Sequence, residues 1–201
     1  MEDRLPRVRR CFRSVRFLMA NLPPRSEEDR YPLGSSLMFF RAMELPTLLD
    51  HYRYMYWMEA DQVPCRAGWL DRLYRVATNH PDFWMLGSIV RDGQQSNTYY
   101  SFADHINGNA LYRLDSPSFH GLLATVQEEF IKNKSRFLAA FDIALYLVPR
   151  YTLPFAQYAQ IKHHFVYTDL VQNHYRSPAN VSQICAAHPN TFLLHGKNLL
   201  R

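Results

Sequence analysis

The amino-acid sequence predicts an α/β domain in which helices flank a single, mostly parallel sheet. Short apolar runs typical of buried strands alternate along the chain with longer segments of helical periodicity. The composition is that of a globular protein, with 47% hydrophobic and 20% charged residues. Because 201 residues can bury one sizeable core, we expect one domain at residues 14–201 behind a basic leader at residues 1–13.

The first half of the chain alternates strands and helices. The apolar run 14–20 predicts a strand, which ends before two consecutive prolines. Residues 35–45 predict a helix, because apolar side chains recur with the helical period, a serine can cap the first turn and a proline ends it. The aromatic-rich run 54–58 predicts a buried strand, and residues 68–77 predict a helix with one apolar face. A further buried strand is predicted at 83–90, with a turn at Asp92-Gly93.

The second half continues the alternation. A strand is predicted at 109–114, and a helix that opens with a proline at 117–134. A short apolar helix is predicted at 141–148, and two final strands at 164–171 and 191–194. Helices between successive strands favour parallel pairing.

Charge and cysteine usage narrow the possible functions. The net charge is +5, and the first thirty residues supply +3 of it, with eight arginines against five acids. The remainder is close to neutral, so we expect no nucleic-acid partner. The three cysteines are scattered and odd in number, which predicts neither a disulfide framework nor a zinc cluster. No apolar run is long enough to cross a membrane, so no transmembrane segment is expected.

Two carboxylates follow the predicted strand 54–58. Glu59 and Asp61 are two residues apart, so on an extended backbone both side chains point to the same side. Carboxylate oxygens are ligands that suit Mg²⁺ or Mn²⁺. The alternative is a strand-end turn with solvated acids. Near the C-terminus, a second apolar run ends in His195 and Lys197, and the two strand ends together predict one site for a metal and a diphosphate.

An amide-rich segment precedes the predicted strand 109–114. Amides such as those of Asn107 and Asn109 hydrogen-bond sugar hydroxyls well, and Gly108 permits close backbone approach. The same three residues are also typical of a tight turn. Substrate binding by Asn107, Gly108 and Asn109 is therefore expected alongside, or in place of, a turn.

Three ordered segments carry a family resemblance. Residues 54–73 combine a strand, the acid pair, a proline turn and a helix that opens with Gly-Trp-Leu. This resembles GT-A glycosyltransferases, the nucleotide-sugar-dependent transferases with an E/D-x-D motif. The block His105-Ile-Asn-Gly-Asn-Ala-Leu-Tyr112 resembles the H-x-N-G-N-x-x-Y block of small members, and His195-Gly-Lys197 is the third segment. The resemblance spans about residues 54–198 and implies a Rossmann-like GT-A domain.

The resemblance also implies roles for single residues. Asp61 and His195 would hold Mn²⁺ or Mg²⁺, with Glu59 beside them near the ribose or a metal-bound water. Lys197 would contact the diphosphate of a nucleotide-sugar donor, stabilising the charge that grows as the donor is cleaved. The acceptor would be a hydroxyl of a glycan or glycoprotein, in a Golgi or secretory setting.

An inverting transferase needs a carboxylate base, and Asp142 is the candidate. It lies among apolar residues at the start of the predicted helix 141–148, where the resemblance places such a base. The alternative is an acid that only caps the helix, or a first-turn acid that the helix dipole favours.

The segment before the acid pair raises a second hypothesis. Only 58 residues precede Glu59, so the resemblance implies that the N-terminal nucleotide-binding strand is shortened or missing. A catalytically inactive GT-A-like domain that binds a sugar or a partner protein is therefore the alternative to a working glycosyltransferase. A metal-dependent phosphohydrolase ranks last, because it needs more carboxylates around the metal.

Overall fold

The computed structural model describes residues 12–19, 30–89, 105–132, 140–174 and 178–200 of the chain. Within these ranges the protein has a mixed α/β fold of seven α-helices and nine short strands. The helices are α1 (Leu33–Met43), α2 (Pro46–Leu49), α3 (Trp69–Asn79), α4 (Pro117–Lys132), α5 (Phe141–Thr152), α6 (Phe155–Ile161) and α7 (Val181–Ala187). The strands are β1 (Tyr54–Tyr56), β2 (Gln62–Pro64), β3 (Met85–Gly87), β4 (Leu111–Arg113), β5 (Phe165–Tyr167), β6 (Val171–Asn173), β7 (Ala179–Asn180), β8 (Leu193–His195) and β9 (Leu199–Leu200).

Most predicted elements are present close to their expected places. The four predicted helices correspond to α1, α3, α4 and α5, and the predicted strands 54–58, 83–90, 109–114 and 191–194 correspond to β1, β3, β4 and β8. Some expectations lie outside the described residues: positions 1–11 of the basic leader, residue 90 of one strand, the Asp92-Gly93 turn and residues 133–134 of one helix.

The predicted strand at 14–20 is wrong. Residues 14–19 are described and form neither a helix nor a strand. Phe17 is 71% exposed and Met19 is 80% exposed. An apolar run becomes a strand only where a neighbouring strand and a packing surface receive it, and this run has neither among the described residues.

The predicted strand at 164–171 is interrupted. A 3₁₀ turn at Lys162–His164 leads into β5, and β6 begins only at Val171. Between them the Leu170 N–H donates to the Thr168 hydroxyl at 3.2 Å. This turn passes the chain from one sheet to the next, since β5 and β6 belong to different sheets.

The α/β class is confirmed, but the strand pairing is mixed, and a single, mostly parallel sheet is not confirmed. One sheet has the order β1-β4-β3-β5, in which β4 is antiparallel to β1 and β3 while β5 is parallel to β3. A second has the order β2-β8-β6, with β2 antiparallel and β6 parallel to β8. A third, parallel pair joins β7 and β9. The Asn107 N–H donates to the Ser88 carbonyl at 2.9 Å, and the Trp57 N–H donates to the Ala110 carbonyl at 3.0 Å. The chain therefore enters β4 beside the ends of β3 and β1 and runs back along both.

The first sheet separates two groups of buried side chains. Successive residues of a strand point to opposite faces, so Met85 and Tyr112 lie in one apolar cluster while Leu86 and Leu111 lie in the other. Helices α1, α4 and α5 pack on the first face, and α3 packs on the second. The start of α5 is thereby held against the sheet, close to the end of β1.

A disulfide joins Cys65 to Cys185, 120 residues apart in the chain. It attaches the end of β2 to α7. Arg66 adds hydrogen bonds to the carbonyls of Cys185 and Thr191. The expectation that the cysteines form no disulfide framework therefore needs correction: one disulfide is present. The sequence did not reveal it because two cysteines so far apart leave no local spacing pattern.

Among the described residues, no helix combines the length and the hydrophobicity that crossing a membrane requires.

Candidate metal centre and adjoining cleft

The two acids occupy a tight turn between β1 and β2. The Gln62 N–H donates to the Glu59 carbonyl at 3.1 Å and closes the turn. The Glu59 N–H donates to the side-chain oxygen of Asn109 at 2.8 Å. These two bonds fix the backbone, so the carboxylates of Glu59 and Asp61 are presented on one side.

His195 meets both acids. It is the last residue of β8 and is completely buried. Its Nε2 lies 3.0 Å from Glu59 Oε2 and 3.1 Å from Asp61 Oδ1. The structure thus brings together Asp61 and His195, the two residues that the sequence analysis expects to share an ion.

Asn173 orients the His195 ring. Its Nδ2 donates to the carbonyls of Ser88 at 3.0 Å and Ile89 at 3.3 Å. A carbonyl can only accept, so the Asn173 Oδ1 must be the atom that lies 3.0 Å from His195 Nδ1. Nδ1 therefore carries a proton, and in the neutral ring Nε2 presents its lone pair to the acids.

The donor atoms fit a divalent cation. Glu59, Asp61 and His195 each offer one ligand atom, and these atoms lie within 4.8 Å of one another. Two carboxylates with one imidazole suit Mn²⁺ better than Mg²⁺, because Mg²⁺ favours oxygen ligands throughout. Asn173 adds the outer hydrogen bond that metal-binding histidines ordinarily make.

A proton and a metal ion compete for the same ring nitrogen. The hydrogen bond from His195 holds the pKa of Glu59 below its ordinary value, the charge of His195 and the side chain of Asn109 lower it further, and burial and Asp142 oppose this. A protonated ring can thus bridge the two carboxylates. Metal binding requires Nε2 to lose that proton.

A cleft of about 210 Å³ adjoins the centre. Its walls include Glu59, Asp61, Lys197, Asn107 and Asp142. The structure therefore places the expected diphosphate-binding lysine and the expected base in the same cleft as the acids.

Lys197 reaches the cleft through a constrained backbone. A Cβ added to Gly196 would lie 1.8 Å from the His174 carbonyl oxygen, so only glycine fits between His195 and Lys197. The His174 N–H also donates to the His195 carbonyl at 2.7 Å. Lys197 itself is exposed, as a residue that meets an incoming ligand should be.

The Asn-Gly-Asn segment acts mainly as a scaffold. Asn109 is completely buried, and its Nδ2 and its backbone N–H both donate to Asn107 Oδ1 at 3.1 Å. The Gly108 carbonyl accepts from the Tyr112 hydroxyl at 2.9 Å. Of the three residues expected to bind substrate, Asn107 lines the cleft, whereas Gly108 and Asn109 do not.

Asp142 is tied to that scaffold. Its Oδ2 accepts from the Gly108 N–H at 2.9 Å and lies 3.5 Å from His105 Nε2 and from Asn107 Nδ2. Its Oδ1 accepts from the Ile143 N–H at 2.9 Å. Asp142 is 7% exposed and lines two cavities, the metal cleft and a larger one on α5. The carboxylate therefore accepts a hydrogen bond at the start of α5 and also lines both cavities.

Sequence reasoning missed Asn173 and assigned no role to His105. Asn173 lies at the end of a strand that forms only through pairing with β8, and no local motif marks it. His105 belongs to the same segment as Asn107, which is the signal that could have drawn attention to its contact with Asp142.

The fold and the site define a mixed α/β protein with a candidate divalent-metal centre. No family model, curated protein or solved structure matches the chain. Function is therefore inferred from the residues of the site.

Proposed function

We propose that the protein is a metal-dependent glycosyltransferase with a GT-A-like domain. It would transfer a sugar from a nucleoside-diphosphate-sugar to a hydroxyl of a glycan or glycoprotein. The observation that carries this proposal is the meeting of Glu59, Asp61 and His195 at one point. Lys197 and Asp142 line the cleft beside them, which supports a site with a basic side chain and a candidate base next to the metal ligands.

Asp61 and His195 would hold the metal, with Glu59 as the third ligand or as the acceptor for a bound water. Mn²⁺ fits this donor set better than Mg²⁺. The ion would neutralise negative charge on the leaving diphosphate.

Lys197 binds the diphosphate. Its ammonium group is a compact point charge, and the exposed side chain can follow the ligand as charge develops. Because that charge grows during cleavage, the contact stabilises the transition state more than the bound donor.

Asp142 takes the proton of the acceptor hydroxyl. The acceptor oxygen bonds to the anomeric carbon, the bond to the diphosphate breaks, and the electron pair leaves with the diphosphate. The Gly108 N–H at 2.9 Å holds the carboxylate in place. The arrangement supports a base because the carboxylate lines both the metal cleft and a second cavity.

The Cys65–Cys185 disulfide supports a secretory or Golgi setting. Disulfides form and persist in oxidising compartments and are rare in the cytosol.

Calorimetric titration tests the proposal. The protein is titrated with Mn²⁺, and then with UDP-sugars and GDP-sugars in the presence and absence of Mn²⁺. We expect saturable, Mn²⁺-dependent donor binding that Asp61→Asn removes, while the exposed control Asp50→Asn retains it. Donor binding or transfer that persists in EDTA would overturn the metal mechanism.

An inactive GT-A-like binding domain is the second candidate. The cleft volume of about 210 Å³ favours it, because sites for drug-sized ligands occupy roughly 300–1,000 Å³. Such a domain would bind a sugar or a partner but would show neither Mn²⁺-dependent donor heat nor release of nucleoside diphosphate. The same titration, followed by a product assay, separates the two functions.

A further inference from the structure

A second cavity, of about 360 Å³, lies beside helix α5. Asp142, Tyr146 and Arg150 are spaced four residues apart on this helix, so they lie along one face. All three line the cavity, together with Tyr158 from α6 and Lys162. Asp142 is the residue that this cavity shares with the metal cleft.

Arg150 is held in position by two tyrosines. Its Nε donates to the Tyr158 hydroxyl at 2.9 Å. Its guanidinium carbon lies 3.7 Å from the centre of the Tyr146 ring and 5.6 Å from that of Tyr158. A guanidinium group has five N–H donors, and this geometry fixes its plane before any ligand arrives.

The charge of the cavity is opposite to that of the metal cleft. The positively charged Arg150 and Lys162 line it, and both are exposed to solvent. Among the described residues, Asp142 is the only acid in its walls, and it is buried at the end shared with the cleft. A ligand that fits has an anionic group at the basic end and a hydroxyl at the Asp142 end.

Three tyrosines in the cavity also contribute to its selectivity for a ligand. Tyr146 lies between Asp142 and Arg150 on α5, and Tyr158 and Tyr167 also line the cavity. Flat aromatic faces pack against the C–H groups of a sugar ring, and a fixed guanidinium pairs with carboxylate, sulfate or phosphate oxygens.

We propose that this cavity binds an acidic sugar, with its anionic group at Arg150 and Lys162 and a hydroxyl beside Asp142. Naming this sugar as the acceptor rests on the proposed glycosyltransferase function. Binding of the sugar does not rest on that function, because none of the proposed metal ligands lines this cavity.

Calorimetry or saturation-transfer NMR on the full chain tests this. The probes are methyl glucuronide, glucose 6-sulfate and glucose 6-phosphate, with methyl glucoside as the neutral reference. We expect at least one acidic sugar to bind about tenfold more tightly than the neutral sugar. The three acidic probes distinguish carboxylate, sulfate and phosphate as the preferred group.

Variants separate this cavity from general surface charge. Arg150→Gln and Lys162→Gln should each weaken acidic-sugar binding several-fold, and Tyr158→Phe should weaken it by releasing Arg150. Arg75→Gln removes the same charge from an exposed position on α3 and should change nothing. Equal binding of acidic and neutral sugars, no binding of any probe, or unchanged binding in Arg150→Gln would overturn the proposal.

EDTA and Asp61→Asn distinguish the two proposals. Acidic-sugar binding that survives both, in a protein that binds no donor, upholds the second cavity and removes the transferase. Mn²⁺-dependent donor binding without acidic-sugar binding upholds the transferase and removes this inference.

Discussion

The two cavities that meet at Asp142 are built in opposite ways. The metal cleft is acidic, and its ligands come from the β1–β2 turn and from the end of β8. The second cavity is basic and aromatic, and Asp142, Tyr146 and Arg150 lie on one face of a single helix. A site at strand ends depends on sheet register and on distant pairing, whereas a site on a helix face depends on the helical period. The two cavities should therefore respond differently to the same perturbation.

The largest expected effect is the loss of metal binding in Asp61→Asn. An amide cannot supply the anionic ligand, so we expect Mn²⁺ binding to become undetectable by calorimetry. Acidic-sugar binding at the second cavity should be unchanged. Asp50→Asn is the control, and Mn²⁺ binding by Asp61→Asn at the original affinity would contradict the centre.

Removal of the disulfide comes next. The double variant Cys65→Ser, Cys185→Ser should lower the free energy of unfolding by about 2–5 kcal/mol, because the bridge restrains a long segment of the unfolded chain. Urea denaturation measures it. The bridge holds the end of β2, so Mn²⁺ affinity should fall more than acidic-sugar affinity. An equal fall in Mn²⁺ affinity and acidic-sugar affinity would contradict the claim that the two cavities depend on different parts of the fold.

Asn173→Asp tests the orientation of the metal-binding histidine. The carboxylate can still accept from His195 Nδ1, but it cannot donate to the carbonyls of Ser88 and Ile89. We expect Mn²⁺ affinity to fall by roughly 10–100-fold, because the loss of an outer hydrogen-bond partner of a metal ligand typically has an effect of that size. Calorimetry gives the affinity, and ¹⁵N NMR of the ring reports its tautomer. We expect the tautomer to be retained, and an unchanged Mn²⁺ affinity would remove Asn173 from the centre.

Gly108→Ala tests the scaffold between the cavities. A Cβ there would lie 2.6 Å from Phe141 Cζ, so the loop or the ring must move, and the bond to Asp142 with it. We expect a loss of about 1–3 kcal/mol in the free energy of unfolding, as overpacking usually causes. Gly121→Ala is the matched control, since nothing lies within 4 Å of an added Cβ there, and helical alanine should stabilise. Similar melting temperatures for the two variants would contradict the packing.

The smallest effect is the pH dependence that Glu59 contributes in the metal-free protein. Folding lowers its pKa from the ordinary value of 4.5 through the bond with His195. The associated stability is therefore present above pH 4.5 and is lost as the pH falls through the folded pKa. Denaturation in EDTA should show that the stability difference between the wild type and Glu59→Gln shrinks below pH 4.5. Glu44→Gln controls for removing a carboxylate, and a difference independent of pH would exclude the His195 contact.

The sequence predicted the acid pair well because the pattern is local. The structure has both acids in a turn rather than on the extended backbone that the sequence suggested, but at a spacing of two residues Glu59 and Asp61 still present their carboxylates to one site. His195 and Lys197 followed from the same pattern at another strand end. Asn173 could not be found in this way, since its role depends on β6 pairing with β8 beside His195.

The errors arise from the same cause. The predicted strand at 14–20 has the right composition, but no described strand pairs with it. The pairing of β4 is antiparallel although a helix-rich pattern favours parallel strands. The disulfide joins residues 120 positions apart, and a lone pair at that separation has no spacing signature.

The sequence by itself determined helices α1, α3, α4 and α5, most of the described strands, the acid pair and the neutral body of the chain. These are set by composition and by periods of a few residues, which act before any long-range contact forms. Only the tertiary structure decided the strand order, the meeting of His195 with the acids, and the position of Asp142 between two cavities. These depend on which distant segments pair and pack. No local pattern specifies those contacts, because each strand could pair with several others and the choice depends on the packing of the whole chain.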